Sequence, residues 1–177
     1  MKSSPWLKTY IVVFMVFLYA PALLLPIFAF NDSSIVSFPL KGFTTEWFTV
    51  LWQTEALHTS AKNSLMIAVT SAVLATFFGT LAARASARYK FKGKKPIMGF
   101  IMIPMVLPEI IVGVSLLVVI LQLGFELALW TIILGHTLIC IPFCVAILNS
   151  AFLALDNSLE EASFDLGQTR LKTFWLV

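Results

Sequence analysis

Residues 129–152 read LWTIILGHTLICIPFCVAILNSAF, with no Asp, Glu, Lys or Arg among them. A helix rises 1.5 Å per residue, so roughly 20 apolar residues cross a hydrocarbon layer about 30 Å thick. This run is long enough to span, and it sets the solvent in which its neighbours are read. Working back toward the N-terminus, comparable runs lie at about 97–121, 65–83 and 11–30. Each is separated from the next by a polar or basic stretch, the pattern that bilayer thickness imposes on helices.

Composition agrees with the runs. Hydrophobic residues make up 59% of the chain and charged ones 12%, with a mean hydropathy of +0.94. A soluble domain carries about 25% charged residues. The expected fold class is therefore an all-α membrane protein with four spans in one domain, 1–177. Net charge +3 and a pI near 9.0 raise nucleic acid as a partner. However, the basic residues lie beside the apolar runs and form no soluble basic face, so nucleic acid is set aside and membrane lipid is the expected surroundings.

The first run follows Lys2 and Lys8, which raises a cleavable signal peptide. It is too long for an ordinary signal core, contains Pro21 and Pro26, and lacks a small-residue cleavage site, so it reads as an uncleaved anchor. Lys and Arg also fix the orientation. Two precede the first span, six lie between the second and third (Arg84, Arg88, Lys90, Lys92, Lys94, Lys95), and Arg170 and Lys172 follow the fourth. The other side has only Lys41 and Lys62, so ten against two places both termini in the cytoplasm. The outer loop at 31–62 has room for a short interfacial helix around Trp47, Phe48 and Trp52, while 122–126 is a tight turn.

Past the fourth span, residues 155–167 read LDNSLEEASFDLG. Leu155, Leu159, Ala162 and Leu166 recur at helical spacing and form one apolar stripe. Ser158 and Glu161 have the spacing of a capping box, and Gly167 suits a left-handed helix stop. A short cytoplasmic helix, bounded at both ends, is expected within a loop at 155–177.

Glu161, Ala162 and Ser163, followed after three residues by Gly167, resemble the E-A-A-x-x-x-G loop of ABC importer permeases. Ser163 stands where that family has its second alanine. Nine residues, Gln168 to Leu176, then lead to Val177 at the isoleucine position of the family's I-x-L-P element. Further matches are similar to the spermidine/putrescine branch: Phe30-Asn31-Asp32-Ser33, Gly42-Phe43-Thr44, Asn63-Ser64-Leu65, Ala87-Arg88-Tyr89, Pro108-Glu109, and Gly113-Val-Ser115. The resemblance implies the ABC importer transmembrane fold with six spans in a full subunit, so a C-terminally truncated domain is expected. It also implies an ATPase-coupling segment carrying Glu161, Ala162, Ser163, Asp165 and Gly167. The implied partners are ABC ATPase subunits, a second homologous permease and a periplasmic substrate-binding protein. Polyamine uptake by alternating access is the implied function, with no cofactor and no catalysis in this chain. No G-x-x-x-x-G-K-[ST] phosphate loop is present, in keeping with ATP being hydrolysed elsewhere.

Within the spans, Glu109 is costly. A carboxylate near the middle of a span costs about 2.5–3.5 kcal/mol unless it faces protein or water. Glu109, with the helix-breaking Pro108 and with Ser115, is the expected lining of a pathway for a cation; its structural alternative is a protonated or hydrogen-bonded carboxyl between helices. His136, Cys140 and Cys144 form an i, i+4, i+8 series that a soft metal could use. The resemblance to the polyamine-permease pattern around Pro142 and Phe143, together with the register break at Pro142, reads against a metal site. Ser115 and His136 could form the dyad of an intramembrane serine protease, but Ser115 lacks the glycine that would follow a nucleophile elbow. Two other readings stand beside polyamine import: an importer permease for another solute, and a nonfunctional truncated membrane fragment.

Overall fold

The computed structural model describes residues 4–176. Eight helices run in the order α1 (Pro5–Ala29), α2 (Glu46–Gln53), α3 (Glu55–Arg88), α4 (Lys94–Val106), α5 (Glu109–Gln122), α6 (Leu129–Ala154), α7 (Asn157–Asp165) and α8 (Arg170–Leu176). The chain divides into two units, residues 1–61 and 62–177, and each is described by itself.

In the first unit, α1 opens with Pro5 at a position where the missing N–H costs nothing, and continues through Pro21 and Pro26. No residue of α1 is buried. Asn31 organises the segment that follows. It is 1% exposed, and its Oδ1 accepts the Lys41 N–H at 3.0 Å. Its carbonyl accepts Trp47 Nε1–H at 2.8 Å, and it pairs with Phe43 in an isolated antiparallel bridge. One buried amide thus gathers the loop and the start of α2. A short helix expected near Trp47 and Trp52 is present as α2.

The second unit is centred on α6, which packs against α4 and α5 and meets α3 through small residues. Ser71, Ala75, Gly79 and Ala83 are the buried residues of α3, one every fourth position, so they share one face. Ser71 Oγ donates to the Ile133 carbonyl of α6 at 3.3 Å. Eight residues on, a Cβ at Gly79 would lie 2.5 Å from the Cβ of Cys144. Small side chains let two backbones approach within lipid, where dispersion and hydrogen bonding replace the hydrophobic effect. Contacts at both points advance together along the sequence, so α3 and α6 run parallel. Between them, α4 and α5 therefore return the chain to the side from which α3 departed.

That return is not one straight helix. The run expected as a single span at 97–121 is α4 and α5, bent by 107° at Leu107 and Pro108. Pro108 has no N–H to continue the ladder, and its ring pushes Leu107 to an extended conformation with ψ 145°. Three helices, α1, α3 and α6, are each long and apolar enough to cross a membrane, and the bent pair makes a fourth crossing if taken as one. Large apolar side chains remain uncovered along these helices, Phe100 at 75% and Val106 at 82% among them. Lipid or a protein partner is the surrounding that such faces need.

Candidate docking helix

The α6 helix ends at Ala154 with Leu155 as its C-cap, and α7 begins at Asn157. Asp156 is its N-cap, its carboxylate accepting the Ser158 N–H at 3.0 Å. That bond holds the Asp156 pKa below its ordinary 3.8, through the Ser158 backbone N–H first and its side chain second. The capping box expected from Ser158 and Glu161 is displaced by this earlier start. Asp is as strong a cap as Ser, and an ionised acceptor makes the tighter bond. Glu161 is left free to face outward.

At the other end, Gly167 has φ 79°, a left-handed conformation that a side chain would strain. Its N–H donates to Phe164 O at 2.8 Å, and Gln168 N–H reaches Ser163 O at 3.1 Å. This pair of bonds is a Schellman closure, so α7 is finished at both ends.

The two faces of α7 differ. Ser163 is buried, and its Oγ lies 3.0 Å from the Oγ1 of Thr173, which is fully buried in α8. Glu160 turns the same way and meets two arginines one turn apart on α3. Arg88 Nε donates to Glu160 Oε1 at 2.8 Å, and Arg84 Nη2 lies 3.6 Å from Oε2. The remaining Arg88 nitrogens reach Asn157 Oδ1 and, at 3.3 Å, the carbonyl of Leu155. Arg84 also covers the Phe174 ring of α8, 4.6 Å from its centroid. Glu161, Ala162, Asp165 and Gly167 are all exposed, as are Leu159 at 52% and Leu166 at 79%. The apolar stripe read from the sequence therefore lies open, flanked by carboxylates.

Of the five residues expected to couple to an ATPase, four are thus outward and Ser163 is turned inward. None of Arg84, Arg88 and Glu160 is among the expected site residues, although Arg88 belongs to the Ala87-Arg88-Tyr89 match. The arginines look like orientation signals, and only their spacing of four, matched to Asn157 and Glu160 at a spacing of three, hints at facing helices.

The membrane residues are placed differently from one another. Pro108 caps α5 and Glu109 is its first residue, exposed at the break and not within a continuous span. Ser115 is exposed on α5. A hollow between α5 and α6 is lined by Gly113, Leu116, Ile120, Thr131 and His136, and Ser115 is not among its lining residues. His136 Nδ1 lies 3.1 Å from Ile132 O in its own helix, and among the described residues no hydrogen bond links it to Ser115. Cys144 is engaged in packing against Gly79.

Comparison with known proteins bears on this arrangement. The family described as the binding-protein-dependent transport system inner membrane component matches residues 75–177, which include α6, α7 and α8. The spermidine/putrescine transport system permease protein PotC of Escherichia coli (strain K12) is 37% identical over 151 residues, covering 85% of this chain and 57% of the relative. The putrescine transport system permease protein PotI of the same strain is 34% identical over 181 residues, covering 98% and 64%. A probable molybdenum ABC transporter permease protein of Haloferax volcanii is 31% identical over 125 residues, covering 66% and 46%. The chain spans about three fifths of the length of the polyamine relatives. With the finished helix following the last long apolar one and the family match running through both, the chain belongs to the binding-protein-dependent transport system inner membrane components.

Proposed function

We propose that this chain is part of the membrane-spanning permease of an ATP-driven importer for polyamines, with α7 as the element that a separate ATPase holds. The observation that carries this reading is the two-sided α7. Its inward face is tied down, while its outward face presents Leu159, Ala162 and Leu166 beside Glu161 and Asp165. An apolar stripe with a charged rim, on a helix that cannot fray, is a surface made for a protein groove.

The partners of this reading are two ATPase subunits at α7, a second permease beside the uncovered helices, and a periplasmic binding protein that delivers solute. The N-terminus lies in the cytoplasm, as the excess of Lys and Arg beside α7 supports. Access alternates between the two sides of the membrane as the ATPases move. At the bend between α4 and α5, Glu109 supplies a negative charge toward a cationic solute, and the broken helix offers free backbone carbonyls beside it. Polyamine as the solute draws support from the names of two relatives, each matching more than four fifths of this chain.

The test is uptake of labelled putrescine and spermidine into membrane vesicles containing the full gene product with its co-expressed ATPase and second permease. ATP-dependent accumulation, competed by unlabelled polyamine, is the expected result. The relative named for molybdenum supports a second reading, an importer for another solute. Competition by molybdate, with indifference to both polyamines, would favour it.

A further inference from the structure

We infer that Arg84, Arg88 and Glu160 form a pin that makes α7 move as one body with the ends of α3 and α6, and that Arg88 is the positioning residue of the coupling step. The inference rests on the reading of α7 as the ATPase-held helix, and adds how force leaves it.

Orientation in the membrane needs only positive charge, and lysine serves as well as arginine. Arg88 is placed for more than charge. Its side chain is 11% exposed, and its three nitrogens reach three residues in two segments: Glu160 and Asn157 on α7, and the carbonyl of Leu155, the C-cap of α6. A planar fork with fixed donors can do this, and a single ammonium cannot hold all three directions. Arg84, one turn earlier on α3, braces the second oxygen of Glu160 and stacks on Phe174 of α8. Glu160 is itself 15% exposed, with both oxygens engaged.

Only Leu155 and Asp156 lie between α6 and α7. Without a side-chain tie, a push on α7 would be taken up by rotation at this short link. With the tie, displacement of α7 carries the ends of α3 and α6 together. These two helices also approach closely where Gly79 meets Cys144. The tie therefore joins the docking face to a pair of helices whose backbones meet closely at that point.

The experiment uses the assembled transporter in proteoliposomes and reads three quantities: ATPase recovered with the permease, ATP hydrolysed, and polyamine accumulated. Arg88→Lys keeps the charge that sets orientation and loses the fork; Glu160→Gln keeps the shape and loses the charge. In both, ATPase recovery and hydrolysis are expected to persist, while solute moved per ATP falls about tenfold, the size of effect that loss of one well-made charged hydrogen bond produces. Transport per ATP within about twofold of wild type in both variants would overturn the pin. Failure of the unaltered permease to retain any ATPase would overturn the reading of α7 and the pin with it. Where a variant does not accumulate, spin labels at Ser158→Cys and Leu81→Cys in the otherwise unaltered complex give the answer. An unchanged separation through the ATP cycle supports the pin, and a shift of about one helical turn, ~5 Å, refutes it.

Discussion

Arg88 Nε and Glu160 Oε1 are 2.8 Å apart across 72 positions of sequence. This one bond ties the end of the longest helix to the start of the short α7, and both side chains are mostly shielded from water. A pair so placed is worth more than an exposed surface pair, whose contribution is about 0–1 kcal/mol. The structure thus gives α7 a fixed address on the end of α3.

The contact between α3 and α6 depends on a missing side chain. Gly79→Ala sets a Cβ against the Cβ of Cys144, and shortening the cysteine to alanine leaves the clash in place. Only Cys144→Gly removes it. Gly79→Ala should destabilise the detergent-solubilised protein by about 1–3 kcal/mol, seen as a lower thermal midpoint. The double variant with Cys144→Gly should be less destabilised than the sum of the two singles. Simple additivity would mean that the two helices do not meet there.

Ser163 stands where the E-A-A pattern of related loops has alanine, and its hydroxyl is paired with buried Thr173. Ser163→Ala alone should cost about 1 kcal/mol, because Thr173 is left with an unmatched hydroxyl. Adding Thr173→Val should recover most of it, since both polar partners are then gone. The check is the thermal midpoint of the four variants in one detergent; equal midpoints for the single and the double would count against the pair.

The α7 cap titrates. Asp156 has its pKa lowered by the Ser158 bond, so the cap's stabilisation is fully present above the ordinary value of 3.8 and is lost as pH falls through the lowered one. Amide exchange in α7, corrected for its intrinsic pH dependence, should therefore accelerate in that acid range and not above it. Asp156→Asn should abolish the acid step, and an unchanged step would assign it to another group.

At the bend, Glu109→Gln removes the charge offered to a cationic solute while keeping size and hydrogen bonding. Polyamine uptake should fall about tenfold, with the larger loss at low solute concentration, as expected from a weakened attraction of about 1.4 kcal/mol. Unchanged uptake at all concentrations would remove Glu109 from the pathway.

The helical, membrane character of the chain was legible from runs such as 129–152, because bilayer thickness leaves few ways to place so many apolar residues. The break at Pro108 was legible as a proline, but its consequence was not. A proline can kink a span or divide it, and neighbouring helices decide which. Ser71, Ala75, Gly79 and Ala83 were visible as small residues at every fourth position, yet nothing in them names α6 as the partner or Cys144 as the point of closest approach. Asp156 and Ser158 are both good caps, and the choice between them followed from where α6 ended. Arg84 and Arg88 carried a second meaning hidden behind a sufficient first one: their charge accounts for orientation, so the fork geometry of Arg88 had no sequence signature of its own. The apolar stripe of α7 was read correctly as a stripe, while its outward direction depended on Glu160 and Ser163 occupying the inward face.

The proposed transport function depends on α7 being grasped by another protein through its open face. The most direct measurement is crosslinking from Glu161→Cys to cysteines introduced along the groove of the co-expressed ATPase, in the assembled and correctly inserted complex. A single permease–ATPase product is expected to form at Glu161→Cys and not at Thr9→Cys on α1. Repeated failure to trap the ATPase at Glu161, in complexes that still hydrolyse ATP and take up solute, would contradict it.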